Sequence, residues 1–223
     1  MKVVCPEHVK TISFDSDWRA EVTVRQTLVF LDNAARGCLQ DHCTVDPSAP
    51  LADFYWKSDD AKEVSRRRRG RDTIVIDWRP QERVVPYALH HHEFSWSPSG
   101  SHGSPALCTE LRCEMKTGLF QCDIVAQQDF ENAVVFERPS WWVLSNERKL
   151  IKHALKQLET QSERPAITDN GYRVEWKVLG PKVGARFVLV AFRRHGVTIW
   201  QEELRKTSLF GRARDLIGRV AST

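Results

Sequence analysis

With 223 residues, 41% of them hydrophobic and 28% charged, the chain can bury a proper core and has an ordinary globular composition. That argues against a disordered chain, and no apolar run approaches the length of a membrane span, so no membrane partner is expected. A formal net charge of +4 allows an anionic partner without requiring one, while eight tryptophans tilt the chain toward β-structure and binding surfaces.

The start, Met1-Lys2-Val3-Val4-Cys5-Pro6-Glu7, carries no apolar stretch ahead of a small-residue cleavage site, which leads us to expect a cytoplasmic protein. In that compartment Cys5, Cys38, Cys43, Cys108, Cys113 and Cys122 are expected as free, mostly buried thiols.

Val9–Phe14 reads as a strand, followed by a stronger one over Trp18–Leu31. There Trp18, Ala20, Val22, Val24, Leu28 and Phe30 share one face, and Arg19, Glu21, Thr23, Arg25 and Thr27 the other. Trp18 is the centre of an acid-Trp-base triplet that recurs as Asp77-Trp78-Arg79 and Glu175-Trp176-Lys177. Composition makes even one such triplet uncommon, so a repeated β-element is expected, with each indole buried. The later copies extend into apparent hairpins, Ile76–Arg79 with Val85–Leu89 and Val174–Lys177 with Ala185–Leu189.

Residues 32–70 break the alternation and read as a long insertion, with a helix over about Asp60–Arg69. Within it Phe54-Tyr55-Trp56 cannot all face one core, so at least one of the three is expected at the surface. Strands resume over Thr73–Arg79, Val84–Phe94, Leu107–Met115, Leu119–Gln127 and Ala133–Glu137, and Lys116-Thr117-Gly118 suggests a hairpin turn between the third and fourth. Ser95–Pro105, which contains Trp96, reads as a polar loop.

After Pro139 the pattern changes. Ser145 can cap a helix whose stripe is Leu150, Ile151, Ala154, Leu155 and Leu158. Strands are expected over Tyr172–Leu179, Ala185–Arg193 and Val197–Glu203, then a last helix from Thr207 or Ser208. The fold class expected is α+β: an antiparallel β-sandwich-like domain over 1–143, then a small α-β-β-β-α domain over 144–223. Trp141 and Trp142 join the two, packing between them or facing a partner.

That tail order, with Gly180-Pro181 between its first strands, loosely resembles double-stranded-RNA-binding domains, which grip phosphates with a lysine-rich start to their last helix. Here Arg205-Lys206-Thr207-Ser208-Leu209-Phe210-Gly211-Arg212-Ala213-Arg214 has one lysine and no KKxAK motif.

Three sites compete. Arg66-Arg67-Arg68-Arg69-Gly70-Arg71 is either a polyanion footprint or a solvated helix end, with Asp59, Asp60, Glu63 and Asp72 diluting its field. His90-His91-His92-Glu93 is expected as a surface or strand-end cluster, since in a strand only His90 and His92 share a side. The Cys38/His42/Cys43 and Cys108/Cys113 spacings lack the tight CxxC knuckles of zinc sites. No phosphate loop, GxSxG elbow or paired nucleophile and base is present. The reading is therefore a non-catalytic binding or regulatory protein without a cofactor. It would recognise a protein or small ligand through loops and aromatics: Phe54, Tyr55, Trp56, Trp96 and Trp141, with Arg66, Arg67, Arg68 and Arg69. The alternatives are nucleic-acid binding through Arg66–Arg71 and the tail, and an enzyme built on His90–Glu93.

Overall fold

Apolar alternation builds the first hairpin. β1 (Val3–Phe14) and β2 (Ala20–Phe30) pair antiparallel from Phe14↔Ala20 out to Val3↔Phe30, and every even position of β2 is buried. Trp18 sits in the turn between them, at φ 59°, rather than in the strand. Its indole is buried, with the Arg193 guanidinium carbon 3.2 Å from the ring centroid. The turn is held by Asp15 Oδ1, which accepts from the backbone N–H groups of Asp17 and Arg19, each at 2.9 Å.

The computed structural model describes residues 3–31, 38–44, 51, 54–70, 73–82, 84–97, 104–127, 129–138 and 147–206. The fold is α+β and sandwich-like. After the hairpin come β3 (Leu39–Thr44), β4 (Trp56–Ser58), β5 (Ala61–Arg68), β6 (Thr73–Pro80), β7 (Leu89–Trp96), β8 (Ala106–Arg112), β9 (Thr117–Val125) and β10 (Phe130–Glu137). Helix α1 (Glu147–Thr160), β11 (Ala166–Thr168), β12 (Arg173–Leu179) and β13 (Arg186–Arg193) follow, then a helix over 196–206, α2.

A seven-stranded sheet, ordered β11-β12-β9-β1-β2-β7-β4, faces two three-stranded sheets, β10-β13-β8 and β3-β6-β5. All neighbours are antiparallel except β1 and β9. The main core fills the space between. A second core lies on the far face of β10-β13-β8, under α1 and α2. This explains the unbroken apolar run of β13: Leu189 and Ala191 enter the first core, Val188, Val190 and Phe192 the second.

Several expectations need correcting. The insertion over 32–70 contributes three strands, and the segment read as a helix is β5. Pairing with β6 overrides helix propensity there, and as an edge strand β5 tolerates its charges on the open side. The two apparent hairpins do not form, because β6 and β7, like β12 and β13, belong to different sheets. Pro80 ends β6, opposite Ala61, and Pro181 lies in the connection between β12 and β13. Nor do β8 and β9 pair. Gly118 instead lets β1 approach, since a Cβ there would lie 2.6 Å from the Pro6 carbonyl oxygen.

The segment 197–203 is helical, placing Val197 and Trp200 three residues apart on the face that meets the second core. Among the described residues the tail runs α1, β11, β12, β13, α2, so two of its three expected strands form, the third is α2, and β11 was not expected. Its strands do not form one sheet as in a double-stranded-RNA-binding domain: β12 pairs with β9, and β13 lies between β10 and β8. Strands after residue 143 thus complete sheets begun before it, so the expected division into 1–143 and 144–223 does not follow the sheets. Ser145, Trp141, Trp142 and the helix expected from 207 lie outside the described residues.

Trp18 and Trp78 are buried, and Trp176 is half-buried. Trp78→Ala is therefore expected to lower the unfolding free energy by about 3–5 kcal/mol in a urea titration. Trp176→Ala should cost clearly less, and equal losses would contradict this packing.

Candidate functional site

The pairing register sets out the inner face of the large sheet in rows. One row runs Val178, Phe120, His8, Gln26, His92 across β12, β9, β1, β2 and β7. The next runs Trp176, Cys122, Lys10, Val24, Phe94. Four polar side chains thus enter the sandwich at positions where strand alternation calls for apolar ones. Buried polar groups must find partners, and each of these finds a different kind.

His8 stacks on Phe120 at 4.5 Å and its Nδ1 lies 3.1 Å from Gln26 Nε2. Burial pushes its pKa down to about 4, so the ring is neutral at pH 7 and Nδ1 accepts from the amide.

His92 is the opposite case. Its side chain is 2% exposed and bridges two carboxylates: Nδ1 to Asp60 Oδ1 at 3.0 Å and Nε2 to Asp41 Oδ2 at 3.4 Å. Trp78 stacks on the ring at 3.8 Å and Phe94 at 5.1 Å. Burial opposes charge on this ring, but the hydrogen bonds to Asp41 and Asp60 prevail and raise its pKa to about 9. Asp60 is likewise penalised by burial, yet the hydrogen bonds from His92 and Ser58 hold it below the usual carboxylate range. Burial raises Asp41, against the bonds it accepts from His92 and from Trp56 Nε1, the latter at 3.3 Å. The bridge joins β7 to β3 and to the β4–β5 turn, tying the large sheet to the one opposite.

Lys10 is buried at 8% exposure, and no ion pair among the described residues includes it. Its Nζ lies 3.3 Å from Thr109 Oγ1 and 3.3 Å from the Glu110 carbonyl oxygen. Nearby carboxylates are engaged elsewhere: Glu110 with Arg138 at 2.7 Å, and Glu114 with His42 at 3.0 Å and Arg112 at 3.2 Å. Burial lowers the Lys10 pKa from the ordinary lysine value. Lys10 lines a cavity of about 170 Å³ between the sheets. Val24, Phe94, Trp96, Leu111 and Phe120 supply its apolar walls, and Gln26 and Asp41 add polar groups. Gln40, His42, Arg112, Glu114, Met115 and Arg186, which are exposed or half-buried, form its rim.

The residues singled out from sequence are dispersed. Phe54 and Trp56 are buried, and Tyr55 is 65% exposed. Trp96, expected in a loop, ends β7 and forms a wall of the cavity. Arg66 grips Glu63 with Nε at 2.6 Å and Nη2 at 2.7 Å, and Arg67 pairs with Asp77. Arg68 lies in β5, and Arg69 closes the β5–β6 turn through its N–H to the Thr73 carbonyl. The histidine run lies at the start of β7, where strand alternation leaves His91 exposed and His90 half-buried and, against the expectation, buries His92. Cys43 and Cys122 pack near Lys10, and burial raises the Cys122 thiol to about 12. Among the described residues no group of three or more His, Cys, Asp or Glu is arranged to hold a metal ion. No described helix is long and apolar enough to cross a membrane.

No family model matches this chain, and no curated protein does. Solved structures that resemble it include a candidate protease from Parabacteroides distasonis, at 10% identity and TM-score 0.47, covering 86% of this chain and 40% of that one. Leukotriene A4 hydrolase from Saccharomyces cerevisiae matches at 9% identity and TM-score 0.38, over 85% of this chain and 29% of that one. An M1 zinc metallopeptidase from Deinococcus radiodurans matches at 7% identity and TM-score 0.36, over 84% and 42%. The chain thus spans less than half the length of these proteins.

The His92 bridge has a pH signature. A group held above its ordinary value stabilises fully below that value, and the contribution is lost as pH rises through the folded one. Stability should therefore fall between about pH 6.5 and pH 9, by on the order of 3 kcal/mol from His92. His8, held low, acts only below that window. In denaturant titrations across the window, His92→Gln should flatten the decline. An unchanged slope would show that His92 is neutral in the folded protein.

Proposed function

We propose that this is a non-catalytic binding protein that takes a small molecule into the cavity between the sheets, with Lys10 as its polar anchor. The observation that carries the reading is a buried amine without an ion-pair partner among the described residues, facing a cavity of about 170 Å³. Burying an ammonium is expensive, so burial without a counter-charge favours the neutral amine, a polar group set into the wall of the cavity. A cavity this size accommodates a molecule of roughly the bulk of benzene. Its aromatic walls would hold the apolar part and Lys10 the polar end.

This reading moves the ligand from the loops to the sandwich interior and uses Trp96 of the aromatics singled out from sequence. The ion pairs of Arg66 and Arg67 support a charged sheet edge over a nucleic-acid footprint. The seclusion of His92 between carboxylates supports a structural role for it over a catalytic one. Thiols at Cys5, Cys38, Cys43, Cys113 and Cys122 that form no disulfide suit a cytoplasmic location.

Amide chemical shifts read against a panel of small aldehydes, ketones, acids and alcohols test the proposal. Ligands should move Lys10, Val24, Phe94 and Leu111, with dissociation constants no tighter than about micromolar for so few atoms. Met115→Trp, a plug at the half-buried rim, should weaken binding about tenfold or more without unfolding the protein. Shifts confined to Tyr55 or the arginine run, or full affinity in the plugged variant, would overturn the reading.

A further inference from the structure

We propose that Lys10 captures a small aldehyde or ketone as a reversible imine. This rests on the cavity being the ligand site and names the chemical class it takes. The geometry around Nζ carries the inference. Its two hydrogen-bond partners are a carbonyl oxygen, which can only accept, and a threonine hydroxyl. A neutral amine has two N–H donors and one lone pair. Two donors matched to two acceptors satisfy it and leave the lone pair for the cavity. An ammonium would leave its third donor and its charge to the Trp96 ring, 5.9 Å from Nζ, with no carboxylate paired to it among the described residues. The lowered pKa of Lys10 agrees with this, as burial favours the uncharged, nucleophilic form.

The chemistry balances without an oxidant or reductant. The lone pair attacks the carbonyl carbon, and the C–N bond forms as the C=O π bond becomes an alkoxide. One nitrogen proton passes to that oxygen. The C–O bond then breaks. The oxygen leaves as water, carrying both hydrogens that the neutral amine held, and C=N remains. Hydrolysis reverses each step and releases the ligand unchanged. Such capture adds a covalent anchor to the modest affinity that a ligand of few atoms can reach by contact alone.

Incubating the full chain with butanal and sodium cyanoborohydride, followed by peptide mass mapping, tests this directly. Lys10 should be alkylated about tenfold or more faster than the exposed Lys57, Lys62 and Lys177, despite its burial. Met115→Trp should slow the Lys10 reaction and leave the surface lysines unaffected, which keeps the test valid if Lys10→Met fails to fold. Labelling that spreads over surface lysines and spares Lys10 would overturn the imine. If Lys10 is spared while butanoate, which has no electrophilic carbonyl, still shifts the cavity amides, the cavity stands as a ligand site and only the imine falls. If neither compound reaches the cavity, both readings fall together.

Discussion

The His92 imidazolium held between Asp41 and Asp60 is the constraint on which the sandwich depends. Two apolar sheet faces can slide over one another at little cost, but a buried charge with a partner on each ring nitrogen fixes their relative position. The bridge joins the centre of the large sheet to β3 and to the turn that starts β5. Its aromatic cover, Trp78 on one side and Phe94 on the other, excludes water and strengthens each hydrogen bond. Removing one partner from such a pair leaves a charge stranded in the core, which is why the bridge specifies the packing more than it adds net stability.

Lys10 stands one row away and is treated differently. β3 and the β4–β5 turn give His92 two carboxylates, whereas β8 gives Lys10 a hydroxyl and a carbonyl. Glu110, whose backbone meets Lys10, turns its own carboxylate to Arg138. The two sheets are not packed to contact around this lysine, and the gap is the cavity. Arginines and acids at its rim largely neutralise each other, so what distinguishes the interior is the amine and its aromatic surroundings.

Much of this was legible in the sequence, and the misses have physical causes. The strand alternation of Ala20–Phe30 and the helix stripe through Leu150, Ile151 and Ala154 reproduce the burial observed. The polar positions were readable too: Gln26 is in phase with Val24 and Leu28, Lys10 with Ile12 and Phe14, His92 with Phe94 and Trp96. Treating those positions as interruptions of an apolar face, rather than as members of it, hid the site. The partners Asp41 and Thr109 could not be read, because they come from other sheets through register that one sequence does not display. The β5 segment was misread because an arginine-rich edge strand and a solvated helix have the same composition. The apparent hairpins failed because alternation identifies strands but not which sheet each one joins.

Side-chain nuclear magnetic resonance across a pH titration tests the central asymmetry most directly, reading the His92 ring nitrogens and Lys10 Nζ in the same sample. The account predicts that His92 keeps both ring protons until about pH 9, while Lys10 loses its charge below the ordinary lysine range. A His92 ring already neutral at pH 7, with Lys10 titrating near 10.4 like an exposed lysine, would contradict it.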